Sequence, residues 1–267
     1  MTDANSAALR SVAPPSRPSA ASNALVFGWR AILKFKHMPE QLFDLVMSPV
    51  MLTLLFTFIF GGALAGSTEN YLQYFLPGVL VQAVMMNSLY SGMALNTDFS
   101  KGLFDRFKTL PIWSLAPFAG LMVGDLLRHL IACVIVLVIG LLLGYRPETG
   151  IAGVLPAFAL LLAIGVGAGY LFMVVGLMVR TTATVMTISY GMLFPLTFAS
   201  NIMVRPETMP PALRYVVELN PVSLMATAIR GLMAGTVTSQ QIVYALIVPV
   251  VLTLTLSPVV LWLSRRK

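Results

Sequence analysis

Asp98, Lys101, Asp105, Arg106 and Lys108 fall within one short stretch that also carries Phe104, Phe107 and a terminating Pro111. Charges interleaved with aromatics suit reversible docking: polar groups give direction, and rings give buried anchors. Asp125 and Arg128 stand three apart, so on a helix they share a face and can pair, with His129 beside them. Glu218, Asn220 and Arg230 form a third set inside a proline-punctuated stretch. No nucleophile–base set or metal cluster accompanies them. His37 and His129 lie far apart, and the one cysteine, Cys133, sits in an apolar run, where it reads as a small buried hydrophobe. The residues suit binding and movement rather than bond making.

The elements that hold these groups are membrane helices. The chain has 267 residues, 58% hydrophobic and only 10% charged, with a mean hydropathy of +0.87. A soluble domain carries about 25% charged residues, so this composition cannot cover a water-facing surface. A bilayer core needs about 20 apolar residues of helix. Six runs qualify, at about 41–60, 72–95, 115–143, 152–179, 184–203 and 241–263. Helices satisfy their own backbone groups in lipid, which excludes open strands.

The net charge of +7 marks orientation rather than nucleic acid. With six spans both termini share a side. That side holds Arg10, Arg17, Arg30, Lys34, Lys36, Lys101, Arg106, Lys108, Arg180, Arg265, Arg266 and Lys267, twelve of the seventeen basic residues. The bias places both termini in the cytoplasm. Residues 1–20, rich in Ser, Ala and Pro, read as a disordered cytoplasmic tail rather than a cleavable signal peptide. Residues 21–36 form an amphipathic pattern, with Leu25, Trp29, Ile32 and Leu33 on one face and Arg30 and Lys34 pointing away. Such a helix lies in the cytoplasmic interface, and Pro39 ends it. Pro49 is expected to kink the first span.

Between Pro195 and Gly235 the prolines 206, 210, 211 and 221 break the pattern. Pro211 suits the first turn of a short helix, 211–219; Asn220–Pro221 then turns the chain. A second apolar piece, 222–234, ends at Gly235, a candidate C-cap. Pieces this short are re-entrant more often than spanning, so a helical hairpin over about 206–235 is expected to dip into the outer leaflet. Gly165 and Gly169 have GxxxG spacing, which allows close helix approach, within the chain more readily than between copies. Tyr71, Tyr74, Trp113, Tyr145 and Trp262 lie near span ends and read as interfacial anchors.

Over 96–110, Phe99, Leu103, Phe107 and Leu110 recur at helical spacing, with Lys101, Asp105 and Lys108 off the stripe. This is either an interfacial connector or a helix that docks into a partner. The segment GLFDRFKTLPI resembles the loop after the second span in permeases of type-2 ABC exporters (ABC-2 class), and more closely the daunorubicin/doxorubicin-resistance permease family. Three further stretches agree in order: FGGALAGSTENYLQYFLPGVLVQ (60–82), FPLTFASNIMVRPETMP (194–210) and NPVSLMATAIRGLMAG (220–235). The likeness runs from about residue 24 to the end. Arg205 departs from it, standing where a smaller or apolar residue is expected.

The resemblance implies an ABC-2-type transmembrane domain over 21–267, an all-α polytopic fold with six transmembrane helices. It implies a cytoplasmic coupling helix at about 98–110, seated in a cleft of an ATPase. Gly102, Phe104, Asp105, Arg106, Phe107 and Leu110 would form that contact, the interfacial helix 21–36 being a second one. It also implies two ATP-binding cassette ATPase subunits and a second copy of this or a related permease. No Gly-Lys dipeptide followed by Ser or Thr, the phosphate cradle of a Walker A loop, occurs in the chain. Mg-ATP therefore belongs to the partner, and this chain is expected to be a transport subunit with no cofactor or metal of its own and no enzyme activity.

The expected function is export of an amphipathic or hydrophobic drug or secondary metabolite across the cytoplasmic membrane, a lipid or glycolipid being the close alternative. Asp125 and Arg128 are either an ion pair near the inner interface or a polar patch on the substrate route. Glu218, Asn220 and Arg230 either line an outer gate or cap short helices. A proton-coupled secondary transporter needs titratable groups deep in the membrane, and Asp125 and His129 are nearly all the spans offer. Nucleic acid is not expected as a partner, because no basic patch with interleaved aromatics stands clear of the spans.

Overall fold

The computed structural model describes residues 39–103 and 116–266. The tail, the expected interfacial helix 21–36, Trp113 and the loop residues Phe104, Asp105, Arg106, Phe107 and Leu110 lie outside the described residues. The described residues are helical throughout their regular structure, with no strand among them. In order they form α1 (Pro39–Leu55), a π-helical turn (Phe56–Phe60), α2 (Gly61–Ala65), α3 (Thr68–Ser100), α4 (Ala116–Leu142), α5 (Ile151–Met178) and α6 (Thr182–Phe198). A 3-10 turn (Pro206–Thr208), α7 (Pro211–Leu219), α8 (Pro221–Ala234) and α9 (Ser239–Arg266) follow. Among the described residues, five stretches are long and apolar enough to cross a bilayer: Met47–Ala65, Thr68–Ser100, Pro117–Leu142, Ile151–Met178 and Ser239–Arg266. The protein is an all-α, multi-pass membrane protein. α6 is apolar but shorter, with 17 residues.

α3 is the axis of the bundle. It starts where Ser67 caps it, its hydroxyl accepting from the Asn70 amide at 3.1 Å. It then runs 33 residues to Ser100, about 50 Å at 1.5 Å per residue. The expected span of 72–95 is thus too short at both ends. Residues 98–100, expected in a separate coupling helix, are the last turn of α3. The charge at Asp98 suggests an end before it, yet Asp98 is buried. The first half of α3 is buried on every side, its own Leu72, Phe75, Leu76, Val79, Leu80, Val81 and Val84 each being essentially unexposed.

α5 packs most closely against α3, and α4, α6, α8 and α9 surround the two. Association in lipid rests on close packing and interhelical hydrogen bonds, and both occur here. A Cβ added at Gly92 would stand 2.2 Å from the Phe172 carbonyl oxygen, and one at Gly176 would stand 2.3 Å from that of Gly92. Asn96 fastens the same contact by donating through Nδ2 to the carbonyls of Gly176 (2.8 Å) and Val179 (2.9 Å). Of the GxxxG pair, Gly165 faces the His129 ring on α4, while a Cβ at Gly169 would stand 3.3 Å from Met122 Cε and 3.5 Å from Ser91 Oγ. The spacing serves packing inside one chain.

The short helices form where proline and glycine placed them. α7 has Pro211 in its first turn. α8 is capped by Asn220, whose Oδ1 accepts from the Val222 amide at 2.9 Å, and it ends at Gly235 with φ 72°. The connector 143–150 folds back over the end of α8, where Thr149 Oγ1 donates to the Leu232 (3.1 Å) and Met233 (3.0 Å) carbonyls. Two aromatics expected as interfacial anchors are core residues instead. Tyr71 is 2% exposed and donates to the Met203 carbonyl at 3.0 Å; Tyr145 is 3% exposed and reaches Met233 Sδ at 3.3 Å. Burial pushes the Tyr145 hydroxyl pKa up to about 12. Trp262 does lie on the surface, under the Arg266 guanidinium.

Candidate functional site

The Ser100 end of α3 leads into the charged segment. The Lys101 amide donates to the Thr97 carbonyl and the Gly102 amide to the Phe99 carbonyl, each at 3.0 Å. Gly102 then takes φ 66°, a left-handed conformation that glycine adopts without steric cost. The helix therefore stops here, and the chain leaves at an angle that only a residue of this kind sets cheaply. Of the six residues expected in the contact with an ATPase, Gly102 alone is described.

Asp125 and Arg128 meet as an ion pair on α4, both nearly excluded from solvent at 8% and 5% exposure. Ser91 of α3 donates its hydroxyl to Asp125 Oδ2, and the Arg128 guanidinium lies 5.4 Å from the centre of the Tyr90 ring. The pair thus ties α4 to α3 through a carboxylate with two donors. Buried charges persist when they are paired and hydrogen-bonded in this way. His129 follows on the same helix, unexposed, and neither ring nitrogen has a hydrogen-bond partner among the described residues. Its ring fills the space that Gly165 leaves on α5.

The third set lies at the opposite end of the bundle, around the Thr68 end of α3. Arg230 on α8 stacks on Tyr74 of α3, with 3.8 Å from guanidinium carbon to ring centre. Its Nε donates to the Tyr74 carbonyl at 3.1 Å and its Nη2 to the Asn201 carbonyl at 3.2 Å. That same Asn201 oxygen accepts the Tyr74 hydroxyl at 2.7 Å. Asn201 continues the network, donating its amide to Ser223 Oγ at 3.0 Å and Nδ2 to Thr227 Oγ1 at 2.8 Å. The chain leaving α6 is thereby laced to both α3 and α8.

Asn220 sits beneath this network. Its Nδ2 donates to the Leu196 and Ala199 carbonyls, both at 2.7 Å, so it closes the end of α6 while capping the start of α8. Glu218 stands apart on α7, half-exposed, bound to Arg214 Nε at 2.6 Å. A carboxylate four residues from an arginine on an exposed helix contributes little to stability.

Arg230 and Glu218 nevertheless share one opening, a cleft of about 570 Å³ whose walls also include Tyr74, Asn201, Arg205, Glu207, Gln241 and Tyr244. Asn220 does not line it. Tyr74 and Asn201 were not distinguishable as site residues from sequence. Arg205, which breaks the pattern of the resemblance, joins Glu218 and Arg230 in singling out this region, and its guanidinium stands 5.1 Å from the centre of the Tyr74 ring.

Comparison with known proteins agrees along the length of the fold. A family model described as ABC-2 type transporter matches residues 23–234. The chain is 44% identical over 253 residues to the daunorubicin resistance ABC transporter permease of Streptomyces coeruleorubidus, covering 95% of this chain and 89% of that one. It is 25% identical over 209 residues to a transport permease of Cyanophora paradoxa, covering 76% and 71%. Over 120 residues it is 32% identical to the doxorubicin resistance ABC transporter permease of Mycobacterium tuberculosis, covering 45% and 42%.

Proposed function

This chain belongs to the ABC-2 type transporter family, and from that premise we propose that it is the membrane subunit of an exporter that moves an amphipathic or hydrophobic drug or secondary metabolite out across the cytoplasmic membrane. The observation that carries this reading is the 44% identity, spread over 95% of the chain, to a permease named for daunorubicin resistance. ATP hydrolysis belongs to two separate ATPase subunits, and a second permease completes the transporter.

In this reading α6 is the fifth of six spans, about 26 Å long, and α7 and α8 form the hairpin that enters the outer leaflet. Both termini face the cytoplasm, so the Ser100 end of α3 is inner and its Thr68 end outer. The segment Gly102–Leu110 seats in the ATPase, with Phe104 and Phe107 as apolar anchors and Asp105 and Arg106 as polar contacts. Closure of the ATPases on ATP pushes this segment, and the two permeases rock between inward and outward openings. Asp125 and Arg128 lie beside the inner part of the route; Glu218, Asn220 and Arg230 flank its outer end.

The test is ATPase activity of the reconstituted permease with its ATPase, before and after Gly102–Leu110 is replaced by a polar linker of equal length. Loss of assembly and of coupled hydrolysis, with the permease still inserted, is expected. Unchanged assembly and hydrolysis would reduce the segment to an interfacial connector and send the search to a proton gradient as the driving force.

A further inference from the structure

The cleft at the Thr68 end is lined by charged groups that form no ion pair with one another among the described residues. Arg230 makes hydrogen bonds to two backbone carbonyls and stacks on Tyr74, yet has no carboxylate partner among the described residues. Arg205 is exposed over the same ring, and exposed Glu207 likewise has no ion pair among the described residues. Asn201, 7% exposed, leaves its Oδ1 without a hydrogen-bond partner there. The lining therefore offers two guanidinium groups and two carboxylates, Glu207 and the Glu218 already bound to Arg214, which matches a ligand bearing both signs. A simple anion would satisfy the arginines and be repelled by Glu207.

The surroundings of the cleft are apolar on its lipid side. Tyr244 lines it at the start of α9, and Ile247, Val251 and Leu254 continue from Tyr244 at spacings of three, four and three residues. That spacing puts them in one line along the helix, and all four are exposed. On α7, beside the same opening, Leu213, Tyr215, Val216 and Leu219 are exposed too, as in a helix lying in the membrane interface. A headgroup in the cleft would have its acyl chains laid along the α9 stripe.

We propose that this cleft binds the headgroup of a zwitterionic, amine-bearing phospholipid of the outer leaflet. The phosphate lies on Arg230 and Arg205, where guanidinium groups form directional charge-assisted bonds, and the ammonium lies on Glu207. Basic pockets among membrane helices take lipid headgroups by the same electrostatics. The site does not depend on which cargo the protein exports.

The experiment is thermal unfolding of the purified full-length chain in detergent, titrated with short-chain phosphatidylethanolamine, phosphatidylglycerol, phosphatidylcholine and inorganic phosphate. A saturable rise with phosphatidylethanolamine is expected, larger than with the other two lipids and absent with inorganic phosphate. Arg205→Gln should weaken it about tenfold, from loss of one charged hydrogen bond. Glu207→Gln should abolish the preference over phosphatidylglycerol. Both residues are exposed, so neither variant endangers the fold; Arg230→Lys, which keeps the charge and loses the fork, should weaken binding as Arg205→Gln does. An equal response to inorganic phosphate would make the site one for free anions and overturn the lipid assignment. So would the absence of any saturable response, or affinity and preference unchanged in Arg205→Gln and Glu207→Gln.

Discussion

Arg230 and Tyr74, 156 positions apart, are joined twice: the guanidinium lies 3.8 Å from the ring centre, and its Nε donates to the tyrosine's own carbonyl at 3.1 Å. One side chain thereby fixes α8 to the start of α3. Tyr74→Phe keeps the ring and removes only the hydroxyl, which is shared between the Asn201 (2.7 Å) and Val204 (3.3 Å) carbonyls, so it should cost about 1 kcal/mol. Arg230→Ala should cost more, because it removes two guanidinium hydrogen bonds and the stacking on the ring. Unfolding temperatures of the two single variants and the double one measure this, and a double variant that equals the sum would deny the coupling.

The Asp125–Arg128 pair predicts an asymmetry. Arg128→Ala or Asp125→Ala strands a buried charge and should destabilise by about 3–5 kcal/mol. The double change to uncharged residues should recover part of that loss, as read by yield and thermal unfolding in detergent. Asp125→Asn should retain ATP-driven transport; loss of transport with the ATPase still bound and active would favour a proton-coupled mechanism.

Glycine substitutions separate packing from empty space. Gly92→Ala or Gly176→Ala drives a methyl against a backbone oxygen at 2.2–2.3 Å, which no rotamer relieves, and should cost at least about 1–3 kcal/mol. Gly191→Ala on α6 meets nothing within 4 Å and should be neutral. Gly165→Ala meets the His129 ring at 2.4 Å, so His129→Ala should rescue it. Unfolding temperatures of the five proteins decide the matter.

At the Ser100 end, Asp105→Ala and Arg106→Ala should weaken co-purification with the ATPase while the permease stays folded. Gly102→Ala should strain the turn by about 1 kcal/mol and lower coupled hydrolysis more than assembly. Full co-purification and transport in both charge variants would rule out the docking role.

Local punctuation was readable in the residues. Pro211, Asn220–Pro221 and Gly235 bound α7 and α8 where the structure has them, because caps and prolines act on their own neighbours. Lateral relationships were not. Tyr71 and Tyr145 carry the same signal as Trp262, an aromatic near a span end, yet two are buried and one is exposed; the difference lies in which helix stands beside each. The contact of Arg230 with Tyr74 is hidden for the same reason. Asp98 was misleading in the other direction, since a charge marks the end of a span only when it faces water. The π turn at Phe56–Phe60 has no counterpart in the apolar pattern, which a single inserted residue hardly alters.

The length of α3 suits it to a mechanical role in the proposed coupling. It is a lever of about 50 Å, with the left-handed turn at Gly102 at one tip and Tyr74 near the other. A tilt of about 5° would displace one tip against the other by about 4 Å over that length. In the proposed orientation a push at the Gly102 tip would reach the Arg230 clasp along one helix, whose single proline, Pro77, stands only three residues from the ring on which the clasp closes.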